Sequence, residues 1–374
     1  MHQRLRVFAD GGNRLTKIME ESKKPFSFPT IISEPGVELN YDVNFNLFDL
    51  DPEVSKLEKD SILVEVIKDG KSLGKKLVGK AAENKGVIIK DKNRYKNKSE
   101  DEVIYYSILV GVAYNLVKNG KTDVAVDLTV NQPLVEYVAN NREYINKYAN
   151  ELKGNVKVSF FNLFNINEEI EKVAFNIEAI TFCPEAIATY FQYAVNEDGS
   201  LNNRSSKKTI VCDIGSGQIN IAAFDSLKTA GVNTFEKGML DCYEKISMIL
   251  YNNYRNQLDR KPFTYDVDNM IRFEDKKLKV KKGIDIDVSD IVHNVFDGFA
   301  YELNKDFREF VKSKFIGNCD EVIFCGGGSE ILLPYLIKYL DEDFVCTKNE
   351  TKEYHNVIGS MYYRIYKDNA KKSI

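Results

Sequence analysis

Two segments, RVFADGGNRLTK (6–17) and TIVCDIGSGQIN (209–220), each end an apolar strand-like run in Asp, any residue, Gly. Glycines in a turn between two strands let backbone N–H groups approach an anion such as a phosphate, and the aspartate can hold a divalent cation through its waters. One such turn says little, because Asp-Gly is common in hairpins. Two of them, one in each half of the chain, form an internal repeat that could pinch a triphosphate. A third segment, EVIFCGGGSEILLPYL (321–336), sets Gly326, Gly327 and Gly328 between an apolar strand and a helix. Without Cβ atoms the backbone there can lie against a flat ligand, or simply against a neighbouring helix.

Two charged side chains stand beside these motifs. Pro184 suits a first helical position, so a helix is expected from Glu185 to about Val195. The Glu185 carboxylate then has two readings: a favourable interaction with the helix dipole, worth about 0.3–1 kcal/mol, or general-base and water-positioning work. Lys17, seven residues after Asp10, is either a phosphate contact or an exposed strand lysine. Neither GxxxxGK with Ser or Thr nor GxGxxG occurs. Six cysteines form no CxxC pair and the histidines number three, so zinc-binding and disulfide roles are not expected of them and a reducing cytoplasm fits best. Cys212 and Cys325 read as small buried hydrophobes.

The chain has 374 residues, 43% hydrophobic and 29% charged, the profile of an ordinary folded protein. Its length exceeds the roughly 250–300 residues that one core supports, so two domains with a cleft between them are expected. A net charge of −4 lacks the positive field that direct nucleic-acid binding needs. Neither the N-terminus nor the apolar stretch 103–117, interrupted by Gly111 and Asn115, reads as a signal peptide or membrane span.

Periodicity and turn residues predict strands over 4–9, 15–19 and 26–32, then a small irregular subdomain over 36–80. The run 90–101 reads as a solvated loop in which Ser99 caps a helix over 101–118. A strand over 123–130, one long helix from Pro133 to about Leu152, and strands over 156–161 and 176–182 follow. The polar cluster 196–206 is the expected domain boundary. Beyond it come strands over 209–212 and 218–224, a helix over 239–256, polar strands or loops over 273–286, a helix over 289–315 and a buried strand over 321–325.

Together, DGGNRLTK (10–17), PEA (184–186), DIGSGQ (213–218) and GGGSEI (326–331) resemble the actin, heat-shock chaperone and sugar-kinase superfamily. Within it the chain looks most like bacterial plasmid-segregating actins of the ParM type, a resemblance that extends to TVNQPLVEYV (129–138) and EYHNVIGSMYYRIY (353–366). It implies an α/β, actin-like fold of two ribonuclease H-like repeats with a nucleotide cleft between domains. Domain I would span 1–200, with a small inserted subdomain at about 34–80 and completion by 351–374; domain II would span 201–350, with a small subdomain at about 239–288.

The same resemblance assigns ATP or GTP and Mg2+ as ligands. Asp10, Gly12, Asn13 and Lys17 would form the first phosphate loop, and Asp213, Gly215, Ser216, Gly217 and Gln218 the second. Gly326, Gly327, Gly328, Ser329 and Ile331 would border the adenosine, and Glu185 would orient the attacking water. Asp213 would share the catalytic work and, with Asp10, hold magnesium through water. Gln218 and Asn220 stand where the family more usually has Thr and Asp.

The function so implied is a polymerising ATPase of the cytoplasm, without membrane or direct nucleic-acid contact. ATP would close the domains, subunits would stack head to tail into filaments, and hydrolysis would time their disassembly. Plasmid DNA would be reached through a DNA-binding adaptor protein. The alternative is a sugar- or acetate-type small-molecule kinase, in which a carboxylate would deprotonate the acceptor hydroxyl. A chaperone role is not expected, since the sequence offers no peptide-holding segment.

Overall fold

The computed structural model describes residues 4–36, 57–91, 98–139, 142–163, 167–280, 284–315, 319–340, 346–347 and 352–372. They fall into two compact units, Met1–Asn202 with Tyr354–Ile374, and Asn203–Glu353.

The first unit opens with an antiparallel hairpin of β1 (Leu5–Gly11) and β2 (Leu15–Glu20). Then come β3 (Phe26–Pro29), β4 (Ile31–Pro35), β5 (Ile62–Lys68), β6 (Lys71–Val78), α1 (Lys80–Lys85) and β7 (Gly86–Asp91). After these follow α2 (Glu102–Lys118), β8 (Val124–Gln132), α3 (Leu134–Val138), α4 (Arg142–Leu152), β9 (Gly154–Phe161), β10 (Glu169–Pro184) and α5 (Ile187–Ala194). The strands form one sheet in the order β3-β2-β1-β8-β10-β9-β5-β6-β4-β7. Val7, Ala9, Val126, Leu128 and Val130 pack with Ile104, Ile108 and Val112 of α2, which is buried almost all round as a central helix must be.

Several expectations are corrected here. The strand expected over 26–32 is two, broken where the Thr30 N–H turns to the carbonyl of Arg14. The region expected to be irregular over 36–80 contains the β5–β6 hairpin, built into the main sheet; its residues 37–56 lie outside those described. The one long helix expected from Pro133 is two, α3 and α4. Asp101, not Ser99, caps α2: its carboxylate accepts from the Val103 N–H at 3.1 Å, while Ser99 is buried in a 3-10 turn over Lys98–Glu100.

The second unit contains β11 (Lys208–Ile214), β12 (Ile219–Asp225), β13 (Lys228–Phe235), α6 (Met239–Tyr254), α7 (Thr264–Phe273), β14 (Lys277–Val280) and β15 (Ile284–Asp287). It continues with α8 (Ser289–Lys314), β16 (Glu321–Cys325), α9 (Ser329–Leu336) and β17 (Cys346–Thr347). Its main sheet runs β13-β12-β11-β16-β17. Moving along it, neighbours pair antiparallel, antiparallel, parallel and parallel. The segment β3-β2-β1-β8-β10 of the first unit has the same order and the same directions. The repeat seen in two twelve-residue motifs is therefore a repeat of whole sheets. Ile210, Cys212, Ile214 and Phe324 meet Val292, Phe296 and Phe307 of α8 in the core, and Cys212 and Cys325 are buried as expected.

The chain then returns to the first unit as α10 (His355–Lys372). Val357 packs on Phe8 and Met19, and the Arg364 guanidinium grips both oxygens of Asp127 at 2.7 and 3.2 Å. Arg6, on β1, donates to Asp368 at 2.7 Å.

Candidate functional site

Both aspartate-glycine motifs form the same tight turn. The Gly12 N–H donates to the Leu15 carbonyl at 3.1 Å, and the Gly215 N–H to the Gln218 carbonyl at 3.0 Å. A Cβ on either glycine would lie 2.7 Å from that carbonyl oxygen, which is why a residue without one stands at each place. Asp10 and Lys17 face each other across the first ladder, as Asp213 and Asn220 do across the second.

In the first unit the turn belongs to a line of four charges, of which Asp10, Lys17 and Lys98 are buried and Glu185 is half-buried. Lys17 donates to one oxygen of Asp10 at 2.9 Å; the other oxygen lies 4.0 Å from the Lys98 ammonium, which also ion-pairs with Glu185. Burial alone would push the Asp10 carboxyl up, but Lys17 and Lys98 more than offset it and hold it below its ordinary value. Burial likewise works to lower Lys98, and Glu185 and Asp10 overcome it and raise it. Asp10 is therefore ionised and Lys98 protonated at neutral pH. The cluster lies where the parallel strands β1, β8 and β10 end, the usual place for a ligand in such sheets. Nearby, the buried Tyr148 hydroxyl and Gln132 side-chain oxygen have no hydrogen-bond partner among the described residues. A Cβ on Gly11 would sit 3.5 Å from that hydroxyl, and the Glu185 N–H donates to the backbone carbonyl of Gln132 at 3.0 Å.

Two expectations fail at this cluster. Pro184 does not open a helix: it is the last residue of β10, in register with Gln132, and α5 begins only at Ile187 after Ala186 at φ +62°. Glu185 thus lies one residue ahead of the N-cap Ala186 and not in the first turn of the helix. The solvated loop expected over 90–101 holds Lys98 and Ser99 in the interior; its residues 92–97 lie outside those described. Lys98 is the site residue that sequence reasoning missed. Its only sequence signal is a basic run, and its partner Glu185 is 87 residues away.

In the second unit Asp213 is buried at the end of β11, and the three glycines fold onto it. Gly326 has φ +83°, and a Cβ there would overlap an Asp213 oxygen. The Gly328 N–H donates to the Ile214 carbonyl at 2.9 Å, and the Ser329 hydroxyl to the Gly326 carbonyl at 2.7 Å. Gly327 has open space where a Cβ would be, and its carbonyl accepts from Arg272 at 2.9 Å. Beyond the turn, the Gly215 and Ser216 carbonyls accept from the first N–H groups of α6, and Gln218 donates to Glu236 at 2.8 Å. Gly217 lies in the turn between β11 and β12, and Asn13 in that between β1 and β2. Ile331 is half-buried against the core of this unit.

Residues 9–187 match the family described as actin-like proteins, N-terminal domain, and residues 208–360 match the Alp7A C-terminal domain. The chain belongs to the actin-like proteins. Among solved structures, the actin-like protein Alp7A is 15% identical with a TM-score of 0.70, covering 99% of this chain and 98% of its own. The 15-stranded ParM filament from Clostridium botulinum is 17% identical, TM-score 0.68, covering 96% and 99%. Bacillus thuringiensis ParM with AMPPNP is 18% identical, TM-score 0.65, covering 98% and 99%. No curated protein matches the sequence. The α/β, actin-like fold that the motifs implied is thus the fold of this actin-like protein, and the small-molecule kinase alternative is not favoured. No helix among the described residues is long and apolar enough to cross a membrane.

Proposed function

We propose that this actin-like protein is a cytoplasmic, nucleotide-driven polymerising ATPase whose filaments move plasmid DNA through an adaptor protein. The observation that carries the reading is the duplicated turn, Gly12 to Leu15 and Gly215 to Gln218, each two residues after a buried aspartate. Such turns present backbone N–H groups to phosphate oxygens. Assembly and nucleotide binding are supported by relatives: a C. botulinum ParM forms a filament and a B. thuringiensis ParM binds AMPPNP.

In this reading Asp10, Gly12, Asn13 and Lys17 form one phosphate loop and Gly215, Ser216, Gly217 and Gln218 the other. Gly326 to Ser329 and Ile331 border the base and sugar. Carboxylate oxygens suit Mg2+. Asp213 and Asp10 would hold it, Asp10 through water because two ammonium groups already face that carboxylate. Magnesium, when bound, neutralises phosphate charge. Glu185 orients a water whose oxygen bonds to the terminal phosphorus as the bridging P–O bond breaks. The nucleoside diphosphate leaves with that electron pair, and the water's proton passes through the carboxylate to solvent.

The test is light scattering of the purified protein with magnesium and ATP, GTP, ADP or no nucleotide, with pelleting and phosphate release on the same samples. Triphosphate-dependent scattering followed by phosphate release is expected. Phosphate passing to a supplied sugar or acid without scattering would replace this reading by the kinase one.

A further inference from the structure

The charge line in the first unit contains one member that the phosphate loops and the water-positioning carboxylate do not account for. Lys98 comes from a different part of the chain, the short 3-10 turn ahead of α2, and its side chain is 9% exposed. Lysine is almost never that deeply buried unless paired. Here it is paired twice, with Glu185 and with Asp10. A buried ion pair contributes little to stability against an apolar replacement of the same size, so the presence of this one calls for another account.

The turn that carries Lys98 is itself fixed. Asp101 caps α2 three residues on, and Lys147 of α4 ion-pairs with Glu100 at 2.9 Å. Glu185 by contrast stands in a two-residue turn between β10 and α5, outside both elements. Orienting a water demands that the Glu185 carboxylate be held in one geometry, and its ion pair with the buried Lys98 supplies such a hold.

We propose that Lys98 is a positioning residue for nucleoside triphosphate hydrolysis: it clamps the Glu185 carboxylate against Asp10 at the carboxyl end of β1, β8 and β10. The inference rests on the ATPase reading above. Lys98 acts through Glu185, so its loss is felt in turnover more than in binding, and Lys98 and Glu185 form one unit.

The experiment compares wild type, Lys98→Met, Lys98→Arg, Glu185→Gln and the Lys98→Met/Glu185→Gln double variant, with kcat and KM for phosphate release from magnesium-ATP. Folding of each is followed by circular dichroism. Lys98→Met is expected to lower kcat roughly 10- to 100-fold with KM within about threefold, Lys98→Arg to recover part of it, and the double variant to be no slower than Glu185→Gln alone. Should Lys98→Met fail to fold, Lys98→Arg carries the comparison, since it keeps the charge but changes the clamp geometry, and its kcat should still fall. Wild-type turnover with unchanged kcat in every folded Lys98 variant, or additive losses in the double variant, would overturn this inference and leave the ATPase reading standing. Absence of hydrolysis by wild type would overturn the ATPase reading itself and the clamp with it.

Discussion

Lys17 stands opposite Asp10 in the β1–β2 ladder and donates to its carboxylate at 2.9 Å, whereas Asp213 at the equivalent place in the second unit faces Asn220. The two sheets repeat each other, but the cation has been placed on one side only. Lys17→Met should therefore raise the dissociation constant for ATP more than Asn220→Ala does, and titration of a fluorescent ATP analogue against both variants measures the difference. Equal effects would mean that the two hairpins share the phosphate charge evenly.

The buried charges Asp10 and Lys98 set a pH dependence. Asp10 is held below its ordinary value, so its stabilisation is complete above about pH 4 and is lost as pH falls through the lowered value. Lys98 is raised, so its contribution is complete below about pH 10.4 and is lost as pH climbs through the raised value. Denaturant unfolding of wild type and Asp10→Ala between pH 2 and 5 checks the acid limb. The variant should be about 3–5 kcal/mol less stable at pH 7, with the gap narrowing toward pH 2.

Glu185→Ala should bind ATP and assemble but release phosphate roughly 100- to 10,000-fold more slowly. Single-turnover phosphate release on assembled protein is the measurement, and an unchanged rate would remove Glu185 from the chemistry.

The three glycines should separate by substitution. Gly326→Ala forces a side chain into a left-handed backbone and against Asp213, costing about 1–3 kcal/mol from the backbone alone. Magnesium-dependent nucleotide binding should suffer with it, as in Asp213→Ala. Gly327 has no heavy atom within 4 Å of a Cβ, so Gly327→Ala should change stability by less than about 0.5 kcal/mol. A several-fold loss of ATP affinity in a variant of unchanged melting temperature would place the adenosine against Gly327; unaltered affinity would place it elsewhere.

The hairpins were legible because their signal is local: an apolar strand, an aspartate, and a glycine that a turn carbonyl leaves no room to replace, as at Gly12 and Gly215. The long, mostly apolar α2 was legible for a similar reason. Lys98 was not, because nothing within several residues of it distinguishes a buried lysine from a solvated one; its burial depends on carboxylates at positions 10 and 185. Glu185 reads as helical in the sequence because proline favours first helical positions, yet here the β8 partner strand extends β10 through Pro184. Pairing with a distant strand overrode local propensity there.

The return of α10 to the first unit has a consequence for synthesis. Arg6 leaves the ribosome 362 residues ahead of Asp368, which it grips. At about 5–20 residues per second the opening sheet waits some tens of seconds with Phe8 and Met19 uncovered by Val357. The second unit, continuous in sequence, can complete its core first. The order of maturation along this chain is therefore inverted: the half begun first is the half finished last.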